Sequence, residues 1–249
     1  MPIRRRDIFL AFLFLVAAWQ AAAWLLNRPI LPAPGSVLLV FWRELTGGDL
    51  AGHFLVSLWR VTTGMLLAVL AAAPLGLGLG QSKRLNRLVS PLIYLLYPIP
   101  KVVFLPIVLL FFGVGDSSKI FIIFIILFFQ ILVLVRDQAA SLRPELIQSV
   151  RSLGAGRRAL FRYVYLPASL PAILTALRQS VGTAVAVLYI AESFATRQGL
   201  GYYLYYQGSS LLDYPVMYAG VLAMSLLGLG MYFSVDWLER WLCKWKFVT

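Results

Sequence analysis

The chain has 249 residues, of which 61% are hydrophobic and 13% charged, and its mean hydropathy is +0.83. That excludes an ordinary soluble domain, where about a quarter of residues are charged, and equally a disordered segment. The formal net charge of +12 would suit a nucleic-acid binder if it were clustered, and the single cysteine, Cys243, excludes an internal disulfide framework.

About 20 apolar residues carry a helix across a bilayer, and six runs qualify as spans. The first, Ile8–Leu26, follows Arg4–Arg6 and contains Ala21-Ala22-Ala23, a layout shared with secretory signals. It is longer than a signal core and continues through Trp24-Leu25-Leu26, so it reads as a retained helix. Asn27 to Gly52 reads as an outer linker, with Pro29, Pro32 and Pro34 followed by a short amphipathic stretch, Val37–Leu45, that lies on the outer membrane surface or packs across helix ends. The second span, Trp59–Gly80, contains Pro74, expected to kink it, and ends in a GxxxG face, Gly76 and Gly80, that lets a neighbouring helix come close.

The third span, Leu88–Phe112, holds Pro98, Pro100 and Pro106 together with Lys101. Prolines free backbone carbonyls, which lipid tolerates only beside protein or a water-filled cavity, and a lysine at that depth needs a polar interior or a route to water. Both signals make this helix a candidate wall of a translocation path; a kinked structural helix is the plainer reading. The fourth span, Ile120–Val135, is short. The fifth, Ala168–Ile190, carries Arg178, which either snorkels to the surface or faces the path, and Glu192 and Ser193 follow at its outer end. The stretch QGLGYYLYYQGSSLLDYP is too polar to span, and its tyrosines form an interfacial belt or part of an outer gate. The sixth span is Tyr218–Trp237. The expected fold is therefore all-α and polytopic: one domain over 1–249, six transmembrane helices and a loop between spans four and five.

With the N-terminus inside, fifteen of the 22 Lys and Arg residues fall on cytoplasmic segments and four (Arg28, Arg43, Lys119, Arg197) outside. Arg60, Lys101 and Arg178 lie in or at the edge of spans. This positive-inside bias puts both termini in the cytoplasm and makes the basicity a matter of topology, with no nucleic-acid partner.

The charged island Glu145–Pro167 separates spans four and five. Pro144 suits a helix start, and Leu146, Val150 and Leu153 form one apolar stripe. Gly154 and Gly156 allow a reversal, after which a second short helix is expected with Leu160, Phe161 and Val164 inward and Arg157, Arg158 and Arg162 outward. Periodicity alone leaves two uses open: lying on anionic lipid, or docking on a protein.

The spacing from Gln148 through Gly154 to Val164-x-Leu166-Pro167 resembles the EAA signature of ABC importer permeases, the membrane subunits of binding-protein-dependent transporters. Gly154, Leu166 and Pro167 match that pattern. Gln148-Ser149-Val150 stands where the family has E-A-A, and Val164 replaces its isoleucine. Pro98–Lys119 and Ala191–Leu204 are similar to the nitrate/sulfonate/taurine branch, and the likeness covers roughly residues 50–245.

The resemblance implies a permease in the bacterial inner membrane, forming the path for a small anionic, sulfonate-like or vitamin-precursor solute. It implies three protein partners: an ABC ATPase, an extracytoplasmic solute-binding protein and a second permease copy in a homodimer, all within membrane lipid. The island would be the coupling helix, docking through Glu145, Leu146, Gln148, Ser149, Val150, Leu153, Gly154, Ala155 and Phe161, with Leu166 and Pro167 tying it to span five. The candidate path residues are Pro98, Pro100, Lys101, Pro106, Arg178 and Glu192. ATP and Mg belong on the ATPase. This chain itself carries no G-x-x-x-x-G-K-[ST] loop and no HExxH, CxxC or His/Cys cluster, so neither enzyme activity nor a metal is expected of it. His53, the only histidine, reads as a surface or interfacial residue. A self-contained secondary transporter or channel is the alternative, although it would want paired intramembrane charges and an internal repeat.

Overall fold

The computed structural model describes residues 5–246, without the side chains of Arg5, Pro144 and Arg157. Arg4, counted above as a cytoplasmic charge, and the outward side chain expected of Arg157 therefore lie outside the described residues. The chain is helical throughout: α1 (Arg5–Leu26), α2 (Pro34–Gly47), α3 (Leu50–Gln81), α4 (Lys83–Leu96), α5 (Leu105–Phe112), α6 (Asp116–Ala140), α7 (Pro144–Ser152), α8 (Arg157–Leu160), α9 (Leu166–Ser193), α10 (Leu200–Tyr205) and α11 (Tyr214–Leu242). Five of the described helices (α1, α3, α6, α9 and α11) are long and apolar enough to cross a membrane. The third expected span, Leu88–Phe112, is broken: α4 and the segment 101–112 meet at 75°.

Local chemistry explains most of the boundaries. Asn27, in the left-handed region at φ 42°, stops α1, and its N–H reaches Ala23 O at 3.0 Å. Ser82 separates α3 from α4 and caps the latter by accepting from Leu85 N at 3.3 Å. α3 begins nine residues before the expected span and continues unbroken through Pro74.

Contacts within the chain group it into two compact units, and α3, α9 and α11 contribute residues to both. One comprises the chain up to Ser57 together with Glu192–Leu226. Within it the Trp19 indole donates to Pro32 O at 3.1 Å and packs against Tyr218. The Tyr203 hydroxyl donates to Glu44 at 3.2 Å; burial first, and then the Glu44 carboxylate, push that phenol far above the ordinary tyrosine range.

The other unit comprises Leu58–Ala191 and the chain from Leu227 onward. Its centre is α6, where Ile122, Ile123, Leu127, Ile131, Leu132 and Val135 are buried. α3 lies directly against it. A Cβ on Gly76 would fall 3.0 Å from Leu132 O, and one on Gly80 would fall 2.6 Å from Arg136 O. Gly64, which the GxxxG pattern does not include, meets Ile123 in the same way at 2.7 Å. A fully buried Arg60 on α3 donates to Asp116 in the first turn of α6, at 2.6 and 2.8 Å. That pairing explains why α6 runs longer than its apolar stretch: Asp116 and the buried Lys119, which donates to Val114 O at 2.6 Å, belong to the helix although they interrupt the hydropathy.

Candidate functional site

The loop between α6 and α9 is built around a small core of its own. Leu160, Val164 and Tyr165 are buried, and Leu142, Ile147, Val150 and Ala155 pack on them. α7 starts with proline at its first turn, ends at Leu153, and turns at Gly154, whose φ of 80° an L side chain adopts only at a cost. α8 then runs through a π turn, Phe161–Tyr165, into α9 at Leu166.

The expected stripe on α7 divides in two. Val150 turns inward with Ile147, while Leu146 and Leu153 face out at 50% and 85% exposure. Phe161 is a correction. It was expected inward with Leu160 and Val164, yet it is 37% exposed, because the π turn that begins at this residue changes the helical register. Glu145, Gln148, Ser149, Arg158 and Arg162 are exposed, and Ser149 donates back to Glu145 O at 2.8 Å. Ala155 and Pro167 are half-buried, and Leu166 is partly exposed.

The proline-rich break sits in the same unit. α4 stops at Leu96, Pro98 and Pro100 lie exposed in the bend, and Pro106 occupies the first turn of α5, where a missing N–H costs nothing. Lys101 closes the break. Its ammonium donates to Leu96 O at 2.9 Å, Tyr97 O at 3.0 Å and Ile99 O at 3.2 Å, and lies 4.6 Å from the Phe129 ring centroid on α6. An ammonium has three protons, and here three carbonyls take them. The lysine thus caps carbonyls that the break in the helix leaves without helical partners. A cavity of about 670 Å³ opens beside the bend, lined by residues that include Asn86, Ser90, Tyr94, Tyr97, Arg136 and Asp137.

Arg178 on α9 is held by α11. It pairs with Asp236, lies 3.3 Å from Glu239 Oε2, and faces the Tyr232 ring. Glu239, 1% exposed, also accepts from Thr175 at 3.2 Å and Lys246 at 2.7 Å. The sequence reading missed this network. Its signal was two acids three residues apart at the end of an apolar helix, opposite a lone arginine. A second cavity, about 400 Å³, is lined by Gln138, Thr175, Gln179 and Lys246 among others. Nearby Cys243 is buried, and desolvation, then Glu239, raises its thiol pKa, which keeps it unreactive.

Glu192 is fully buried in the other unit, where Ser57 donates to its carboxylate at 2.7 and 2.9 Å and Gly201 N at 2.9 Å. His53 is no simple surface residue, since its Nδ1 accepts from Gly199 N at 3.0 Å. Neither contact had a local sequence signal.

Comparison with known proteins matches these features to one group. The family described as binding-protein-dependent transport system inner membrane component matches residues 64–244. A Methanocaldococcus jannaschii protein described as an ABC transporter permease is 35% identical over 93% of this chain and 88% of its own length. The taurine transport system permease of Escherichia coli is 30% identical over 91% of this chain and 84% of its own. Among solved structures, the MetNI methionine ABC transporter in an inward-facing form shares the fold at a TM-score of 0.68 and 20% identity, covering 80% of this chain and 98% of that one. A proline-broken span, a folded loop ahead of α9 and a family match over most of its length place the chain among the binding-protein-dependent ABC transport permeases of the membrane.

Proposed function

We propose that this permease couples to a separate ATPase through the loop between α6 and α9. The observation that carries this is the exposure of Leu146, Leu153 and Phe161 on a loop with a packed core of its own. A loop that only rested on lipid would not need the internal core Leu160–Val164–Tyr165 to hold those side chains rigidly outward. Rigidity is what a coupling element requires, because a soft loop absorbs displacement instead of transmitting it. Gln148, Ser149 and Glu145 supply the polar rim, and the exposed Arg158 and Arg162 suit an acidic border on the partner.

In this reading two copies of the chain form the pore, two ATPases bind ATP and Mg, and an extracytoplasmic binding protein delivers the solute. The chain lies in the bacterial inner membrane with both termini cytoplasmic, bounded by lipid. The bend at Pro98, Pro100, Lys101 and Pro106 borders the passage, Arg178 braces α9 against α11, and Glu192 serves the path through its own unit. The solute is a small anion of the sulfonate class, in line with the similarity to a taurine permease. With the Lys101 and Arg178 cations engaged by protein groups, recognition rests mainly on the binding protein.

Purification of the tagged chain from its own membrane in gentle detergent, followed by mass spectrometry, tests the reading. A P-loop ATPase should accompany the wild-type chain at near one-to-one ratio and be absent from Gly154→Val. A partner-free oligomer that transports without ATP would overturn it.

A further inference from the structure

Three consecutive backbone N–H groups after α9 are taken by three side chains from two helices. Gly199 N donates to His53 Nδ1 at 3.0 Å, Leu200 N to Ser57 Oγ at 2.7 Å, and Gly201 N to Glu192 Oε2 at 2.9 Å. His53 and Ser57 lie four residues apart on α3, hence on one face of it, and Glu192 comes from the last turn of α9. The Ser57 hydroxyl also donates to the Glu192 carboxylate and so joins the two helices directly. Ser57 and Glu192 are both fully buried. Gly199 fits because it has no side chain: its φ is 109°, and a Cβ there would fall 2.3 Å from Glu192 Cδ.

The segment these groups hold is poorly regular by itself. α10 has six residues and passes into a π turn at Tyr206–Ser210, and Leu212 then takes a φ of 56°. Its packed anchors are Leu200, Tyr203 and Leu204, the last two against Gly220. Its own backbone bonds, such as Tyr203 N to Gly199 O at 3.0 Å, close only short turns, so the placement of the segment is set by what grips it.

We propose that His53, Ser57 and Glu192 are positioning residues forming a releasable clasp on Gly199–Ser210, and that opening this clasp is the local step by which the outer side of the permease rearranges during transport. The proposal rests on the transport reading given above. The geometry makes the clasp sensitive to the separation of α3 and α9. All its acceptors sit on those two helices, so parting them by about 1 Å carries several bonds beyond hydrogen-bonding distance together. The buried carboxylate sharpens the transition, since it must keep its donors or regain water. Closed and released are then two discrete states of one segment, as a gate requires.

The test is cysteine accessibility in intact cells making the full chain with its partners, using Cys243→Ser as the background. Leu204→Cys reports on the clasped segment and Ala184→Cys on the membrane interior; both positions are buried. With the clasp intact, a membrane-impermeant maleimide should label Leu204→Cys slowly. Glu192→Gln should speed that labelling about tenfold, the factor carried by one charge-assisted bond, and Ser57→Ala should act in the same direction. Ala184→Cys should stay protected in both, while solute moved per ATP hydrolysed falls. Unchanged labelling of Leu204→Cys in Glu192→Gln would overturn the clasp. So would equal acceleration at Ala184→Cys, which would make Glu192 a general support of the fold. If the faster labelling occurs only after the cells are permeabilised, the clasp stands and the orientation given under Proposed function falls.

Discussion

The two segments that enter and leave α9 solve opposite problems. The one before it, 141–165, folds on a core of its own and leaves Leu146, Leu153 and Phe161 uncovered. The one after it, 194–213, buries Leu200, Tyr203 and Leu204 and hands the amides of Gly199, Leu200 and Gly201 to His53, Ser57 and Glu192. A surface that keeps its own shape and exposes apolar groups is built for a partner that comes and stays. A segment shaped by its neighbours changes when they move. The contrast fits the docking role proposed for the first and the rearrangement proposed for the second.

The largest effect should come from Gly199→Ala. Left-handed backbone and a methyl group driven into the Glu192 carboxylate should together cost roughly 3 kcal/mol or more, read as a lower melting temperature in detergent. Gly154→Val is the matching change in the other loop, but a side chain there meets open space, so only strain of about 1–2 kcal/mol is expected. Its larger consequence should be loss of the co-purifying ATPase; retention of the ATPase by Gly154→Val would break the contrast. Lys101→Met, which removes three hydrogen bonds to carbonyls of the bend, should destabilise by about 1–3 kcal/mol and cut uptake. Uptake at the wild-type rate would show that the bend holds without its lysine. Leu153→Ser should leave stability within about 0.5 kcal/mol, since the side chain is 85% exposed, while weakening ATPase binding about tenfold in a titration. Tyr203→Phe gives up one hydrogen bond to Glu44 and should cost about 1 kcal/mol, with no change in ATPase binding.

Much of this was legible in the sequence because hydropathy and helix length are local. Five spans lie where apolar runs put them, and the glycine corner at Gly154 falls where the motif spacing sets it. The failures share a physical cause. The run Leu88–Phe112 stays apolar across its break, so hydropathy could not see the 75° bend, although three prolines hinted at it. Span four read short because Asp116 and Lys119 interrupt its hydropathy, whereas in the structure Asp116 pairs with the buried Arg60 and the buried Lys119 donates to a backbone carbonyl. Glu192 and His53 meet partners 135 and 146 residues away, and a single sequence offers no periodicity at that range.

The glycine contacts of α3 have a mechanical consequence. Gly64, Gly76 and Gly80 bring α3 and α6 together at backbone distance over most of their length, and the last contact, Gly80 with Ala139 and Arg136, lies just before the loop that ends α6. Two rods bonded side by side resist bending far more than either does alone. A push delivered to that loop therefore enters the membrane through a stiff pair, which converts it into displacement of the whole beam rather than flexing of its end.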